Sequence, residues 1–255
     1  MREAIEIAIQ TFLDNHRRNE YRLQPYLLRD GKTHPVAILC PGGGYRRICS
    51  YEEGLPFARR LNALGYHAFV VYYRVRELAR FPGPQDDLAR AVREIFAHAG
   101  EWKLDTRGYS VWGSSAGGHL AASFGTESMG YTHYGLPRPG AMVLAYPVVT
   151  MDACLAHPGS RNNLLGPAPT PEQERSASIQ HQITPAYPPT FLWWGSADEL
   201  VPPDNSRLLQ AALEAQGIPC QCREYAGVGH GVGVRPGLPC EGWLEDAVRF
   251  WESHR

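Results

Sequence analysis

The sequence predicts an α/β fold: a mostly parallel sheet of about eight strands, helices on both faces, and a small lid insertion. Apolar runs such as Pro35 to Cys40 and His67 to Tyr73 lack the polar alternation of a half-exposed sheet, so they read as strands buried on both faces. From Pro35 onward such runs alternate with segments of helical period, the pattern of a parallel sheet with crossover helices. A chain of 255 residues, 44% hydrophobic and 20% charged, suits one domain of this kind, spanning 1–255.

Taken in order, Glu3 to Leu13 places Ile5, Ile7 and Ile9 on one side and reads as an edge strand rather than a poor helix. Tyr21 to Leu28 reads as a second strand, and Pro25 demands an edge position because it lacks an N–H for the ladder. The buried run Pro35 to Cys40 follows. Glu53 to Gly65 has helical period and a terminating glycine, and His67 to Tyr73 is the next strand. Pro84 to Ala99 is a helix with Leu88, Val92, Ile95 and Phe96 inward and Asp87 and Arg90 on its solvated side. A strand leads through Trp112 into Gly113, a helix follows, and Ala141 to Val149 is again a strand. From about 151 to 189 the alternation stops in a stretch rich in Pro, Asn, Gly and His, the irregular kind of insertion that most often forms a lid. Its one clear helix opens at Thr170-Pro171-Glu172-Gln173, a capping-box pattern. Thr190 to Gly195 and Pro219 to Tyr225 are strands, separated by a helix from Asp204 to Gln216 that Asp204 is expected to cap. Glu241 to Ser253 closes the chain as an amphipathic helix.

The net charge of −1 gives no basic surplus for nucleic acid, and no polybasic or amphipathic run suggests a membrane surface. No apolar run approaches a membrane span, and the first residues lack a signal-peptide core, so a cytoplasmic protein is expected. In that compartment the six cysteines are expected to be free thiols. Cys220 and Cys222 share one face of a strand, but no His or Cys cluster accompanies them, so they read as packing and no metal is expected.

Strand, glycine-flanked serine and helix at Gly113-Ser114-Ser115-Ala116-Gly117 make a nucleophile elbow. The apex is strained, and its neighbours two before and two after pass too close for a large side chain. Ser115 has Gly113 and Gly117 at those places, whereas Ser114 would have Trp112, so Ser115 is the candidate nucleophile. Gly42-Gly43-Gly44 follow a buried strand at an entropic cost that needs a reason. The lysine of a phosphate loop is missing, and bare backbone N–H groups facing a reacting carbonyl oxygen are the better explanation. Of ten histidines, His230 alone sits in a glycine-flanked loop after the final strand. Asp198 directly follows a buried strand and is the candidate acid, with Glu199 a near alternative. His119, one turn past the candidate nucleophile, reads as a packing or hydrogen-bonding residue facing into the structure rather than the pocket. Each of these loops leaves the carboxyl end of a strand, where such sheets carry their sites.

Pro41-Gly42-Gly43-Gly44-Tyr45, Gly113 to Leu120, Gly195 to Pro202 and Gly229-His230-Gly231 resemble the α/β-hydrolase esterases of the acetyl esterase/lipase group. Within that group the chain is most similar to the small carbohydrate esterases related to acetyl-xylan and feruloyl esterases, over about Val36 to His254. Lipase-like members usually carry His-Gly-Gly-Gly at the oxyanion loop. Here Cys40-Pro41 precede the glycines, as in the carbohydrate-esterase branch. The resemblance implies a Ser115, Asp198, His230 triad working through an acyl-enzyme, an oxyanion hole from Gly43, Gly44 and Ala116, and no cofactor. The implied partner is a small-molecule ester with a short acyl group, with no nucleic acid and no membrane, and homodimer formation stays open. Tyr45, Ser114 and Trp194 are candidate substrate contacts. An arylformamidase or peptidase would use the same triad. A dienelactone-hydrolase-like enzyme would need Cys in place of Ser115, and a non-catalytic scaffold would usually have lost a triad member.

Overall fold

The apolar run after His34 lies inside a sheet whose topology follows from the order of its strands. In the computed structural model, which describes residues 20–255, seven strands are present: β1 (Arg22–Tyr26), β2 (His34–Cys40), β3 (His67–Tyr72), β4 (Leu104–Ser114), β5 (Ala141–Ala145), β6 (Thr190–Gly195) and β7 (Cys220–Tyr225). They pair in the order β1-β3-β2-β4-β5-β6-β7. The strand expected at Glu3 to Leu13 lies outside the described residues. β1 is antiparallel at the edge, with Pro25 opposite Phe69, and every other pairing is parallel. The chain winds outward from β2 to β3, then crosses back to place β4 on the other side of β2. That reversal opens a crevice between the carboxyl ends of β2 and β4, where Cys40 pairs with Gly113.

The helices are α1 (Leu55–Ala63), α2 (Gly83–Ala97), α3 (Ser115–Phe124), α4 (Pro158–Leu165), α5 (Pro171–Ala177), α6 (Asp204–Ala215) and α7 (Trp243–Glu252). Successive strand residues point to opposite faces, so Trp112 and Gly113 show which helices lie where. The Trp112 indole meets Trp243 and Trp251 of α7, and Phe57 of α1 lies edge-on to Trp243. Gly113, on the opposite face, admits the backbone of α3 at Gly117 and the methyl of Ala121. α2 packs beside α3, and α6 covers β6 and β7. The core is therefore split by the sheet, with its largest buried rings on the α7 side, each such side chain contributing about 2 kcal/mol by burial.

Two expectations are corrected. Asp87 is buried, not solvated: its Oδ2 accepts the Arg74 N–H at 2.7 Å and Nε at 2.9 Å, bonds that satisfy a carboxylate taken out of water. Asp204 does not cap α6. It is the first residue of the helix, after Pro203, and its carboxylate meets Arg207 instead.

The 151–189 insertion contains α4, α5 and a 3-10 turn at Ile179–His181. Thr170 and Gln173 close the capping box from both sides. Buried Asn205 anchors the start of the insertion: its Oδ1 accepts Val149 N–H at 3.0 Å and Thr150 N–H at 3.2 Å, and its Nδ2 donates to Leu155 O at 3.2 Å.

Candidate active site

Ser115 is the first residue of α3 and holds φ at 53°, in the left-handed region that a non-glycine residue enters at a cost. A Cβ on Gly113 would overlap Gly117 O, and a Cβ on Gly117 would overlap Cys40 O. Strand, turn and helix can make this bend only with glycine at both places, as the spacing around Ser115 required.

Ser115 Oγ lies 2.8 Å from His230 Nε2, and His230 Nδ1 lies 2.6 Å from Asp198 Oδ2. An ionised carboxylate can only accept, so Nδ1 carries the hydrogen and Nε2 is left as acceptor for the serine hydroxyl. Asp198 is held in turn: its Oδ1 accepts Leu200 N–H at 3.0 Å and Val201 N–H at 2.9 Å. The three side chains come from the carboxyl ends of β4, β6 and β7, and the loops after β6 and β7 are tied by Ser196 N–H to Tyr225 O and Ala197 N–H to Val228 O, both at 3.0 Å. A hydroxyl, an imidazole and a carboxylate in series can deliver an alkoxide to an electrophile and return its proton. Glu199 takes no part in this series.

The glycine loop after β2 is fixed by a group the sequence did not reveal. Glu53 is 4% exposed, and its Oε2 accepts Gly42 N–H at 2.6 Å. Its Oε1 accepts the Tyr146 hydroxyl at 2.9 Å, and that hydroxyl accepts Gly233 N–H at 3.2 Å. The Tyr146 ring lies edge-on to the His230 ring, centroids 4.9 Å apart. One buried carboxylate thus links the loop after β2 to the loop carrying His230. Burial raises the Glu53 carboxyl above its ordinary range, against the pull of the Gly42 and Tyr146 hydrogen bonds and of His230. Gly42 has spent its N–H on Glu53. Among the described residues no acceptor takes the N–H groups of Gly43 or Gly44, and Ala116 N–H belongs to the first turn of α3, which has no intrahelical partner. In sequence, Glu52-Glu53 reads as ordinary acidic residues at a helix start. Its signal is only the glycine and apolar residues that follow.

Tyr45, Ser114 and Trp194, expected against substrate, are corrected. Tyr45 is fully buried, and its hydroxyl donates to His119 Nδ1 at 2.8 Å. His119 Nε2–H donates to Ala177 O at 2.8 Å, so His119 joins the glycine loop, α3 and the insertion. Ser114 is buried beside the Tyr146 hydroxyl, and Trp194 is 4% exposed within the sheet. Their aromatic and polar character suggested contact with a ligand, but strand alternation turns Ser114 and Trp194 inward, and Tyr45, in the turn after β2, is held inside by its bond to His119. The open cleft, about 850 Å³, is lined instead by Gly43, Gly44, Ser115, His157, Asn163 and His230, with arginines at its rim. Asn163 Nδ2 donates to Gly44 O at 2.9 Å, so α4 of the insertion forms one wall. His157 receives Ser160 N–H, and burial together with nearby His230 lowers its basicity. A second groove, between α1 and α7, holds none of Ser115, Asp198 and His230.

Cys220 and Cys222 lie half-buried on β7, and among the described residues no three His, Cys, Asp or Glu side chains gather to hold a metal. Among the same residues no helix is long and apolar enough to cross a membrane.

The chain is 32% identical over 227 residues to endo-1,4-beta-xylanase B of Butyrivibrio fibrisolvens, covering 86% of this chain and 35% of that protein. It is 30% identical over 222 residues to the acetylxylan esterase of Xylanibacter ruminicola, covering 80% and 44%. It therefore spans less than half the length of these curated relatives. Among solved structures, an acetyl ester-xyloside bifunctional hydrolase from Caldicellulosiruptor lactoaceticus superposes with a TM-score of 0.83 at 34% identity, over 91% of this chain and 88% of that one. Residues 25–213 match the family model BD-FAE. With that match over most of its length and the sheet and helix arrangement described above, the chain belongs to the BD-FAE family and has the α/β-hydrolase fold.

Proposed function

We propose that this chain is a serine carboxylesterase that removes short acyl groups, acetyl foremost, from carbohydrates such as acetylated xylo-oligosaccharides. The observation that carries the reading is the unbroken Ser115–His230–Asp198 series beside the unengaged N–H groups of the glycine loop. The names of the xylan-active relatives support the carbohydrate part of it.

Ser115 Oγ attacks the ester carbonyl while His230 Nε2 takes its proton, and Asp198 steadies the resulting imidazolium. Charge that builds on the carbonyl oxygen is met by the N–H groups of Gly43, Gly44 and Ala116, and losing one such donor typically costs about 3 kcal/mol of barrier. His230 then gives the proton to the departing sugar hydroxyl, leaving an acyl-Ser115. Water enters, His230 removes its proton, and the acid leaves as Ser115 recovers its hydrogen. The α4 wall, with His157 and Asn163, is where we place the choice of substrate. We place the enzyme in the cytoplasm, a reading that six unpaired cysteines support.

Purified protein should hydrolyse p-nitrophenyl acetate and acetylated xylo-oligosaccharides, and Ser115→Ala should lose at least about a thousandfold in kcat while melting at the same temperature. Equal rates for the two proteins would sink the proposal. Rates falling from acetate to octanoate would support the short-acyl part, and faster cleavage of an N-formyl arylamine than of any ester would replace it with amide hydrolysis.

A further inference from the structure

Three arginines, Arg46, Arg47 and Arg76, line the same cleft as Ser115 and His230 in a protein whose net charge is −1. We infer that the cleft accepts esters whose sugar alcohol carries a carboxylate, a uronic-acid-substituted oligosaccharide, and that Arg46 and Arg76 bind that carboxylate. The inference rests on the esterase reading above. Because the acyl group in that reading is as small as acetyl, the charge belongs to the alcohol.

The arginines are not scattered surface charges. Arg46 N–H and Arg47 N–H both donate to Gly43 O, at 3.0 and 3.2 Å, so they close the turn that presents the candidate oxyanion donors. Arg76 holds φ at 58°, its N–H donates to Tyr45 O at 2.8 Å, and its Nε reaches Arg46 O at 3.4 Å. Two separate segments thus meet at one rim through backbone hydrogen bonds, and both carry arginines beside the candidate oxyanion loop.

Several other arginines are neutralised. Arg60, Arg74, Arg161, Arg207 and Arg255 each pair with a carboxylate. Among the described residues no carboxylate lies within ion-pair distance of Arg46, Arg47 or Arg76. Arg47 is engaged by the Cys49 thiol, with Glu52 further off. Glu52 is the exposed acid of the lining, and Glu53 is buried and bonded to Gly42 and Tyr146. Arg46 and Arg76 therefore keep their charge for something else. A planar guanidinium matches a carboxylate through two parallel hydrogen bonds. A phosphate or sulfate ester would satisfy the same groups, so the test separates these sources.

The test compares kcat/KM for acetylated xylo-oligosaccharides with and without a glucuronic acid branch, in native protein and in Arg46→Gln and Arg76→Gln. The acid-bearing substrate should be favoured about tenfold at low salt, and the preference should shrink with added sodium chloride and fall towards one in each variant. Because the readout is a ratio within one protein, a partly unfolded variant leaves it intact. Free glucuronate should compete against the acid-bearing substrate more effectively than inorganic phosphate or sulfate does. A native ratio of one, or a preference that survives both substitutions, overturns the inference while leaving the esterase reading in place. Stronger competition by phosphate or sulfate overturns the carboxylate assignment. No turnover of either sugar ester, or of p-nitrophenyl acetate, overturns the esterase reading and the inference with it.

Discussion

Tyr146 donates its hydroxyl hydrogen to Glu53 at 2.9 Å across 93 residues of chain, and Glu53 holds Gly42 with its other oxygen. Glu53→Gln keeps the shape but offers an amide hydrogen to a tyrosine oxygen that already accepts Gly233 N–H. We expect kcat to fall about ten- to a hundredfold with little change in KM, since the loop is displaced rather than removed. The raised Glu53 carboxyl takes up a proton on acidification at a higher pH than an exposed one. One of its two acceptor positions is then lost, and with it the hold on Gly42 or on Tyr146. The acid limb of kcat/KM should therefore fall more steeply in the native protein than in Glu53→Gln. Identical limbs and identical kcat would remove Glu53 from any positioning role.

His119 makes one acceptor and one donor bond as a neutral ring, and burial pushes its basicity down from 6.5 to about 4. In that pH window the unfolded chain binds a proton that the folded chain refuses, so stability falls as pH falls from 6.5 towards 4 and is full above 6.5. At about 1.4 kcal/mol per pH unit, the loss by pH 4 is about 3 kcal/mol from this residue alone. Urea unfolding at pH 7, 5.5 and 4.5 should show it. His119→Gln should be less stable at pH 7 but lose less on acidification. A parallel decline in both proteins would refute the assignment.

Asn205→Ala should be costly although the side chain is no part of the Ser115–His230–Asp198 series. It leaves Val149 and Thr150 N–H groups buried without their acceptor. The expected loss is about 3 kcal/mol, read as a fall in Tm of roughly 10 °C.

Asn163→Ala tests the α4 wall. Removing its bond to Gly44 O should lower kcat/KM by a factor of about 3 to 10 on sugar esters. The loss should be smaller on p-nitrophenyl acetate, which is too small to lean on the wall. Equal losses on both substrates would mean that the wall supports the loop but does not read the sugar.

The legible parts of this chain are those that local rules control. Burial on both faces marks β2, β3 and β6, the capping box marks α5, and the glycines two before and two after Ser115 follow from backbone contact. Each needs only neighbours in sequence. The parts that were not legible depend on partners far along the chain. Glu53 looks like a helix-start charge until Tyr146 and Gly42 are placed around it. Asp87 looks solvated on its own helix until Arg74 arrives from the segment after β3. Tyr45 and Trp194 advertise the chemistry of a ligand contact, and only the register of the sheet and the position of His119 show that they face the interior. The 151–189 segment lacked periodicity because its helices are short and anchored by single side chains.

Gly117 meets Cys40 O backbone to backbone, with no side chain between α3 and the strand that carries the glycine loop. The gap between Ser115 and that loop is therefore set by atomic radii and not by rotamers. Backbone atoms in contact have no rotamers to exchange, so this spacing has no soft spring in it. Turnover should climb smoothly with temperature and stop abruptly, at the point where the sheet itself comes apart.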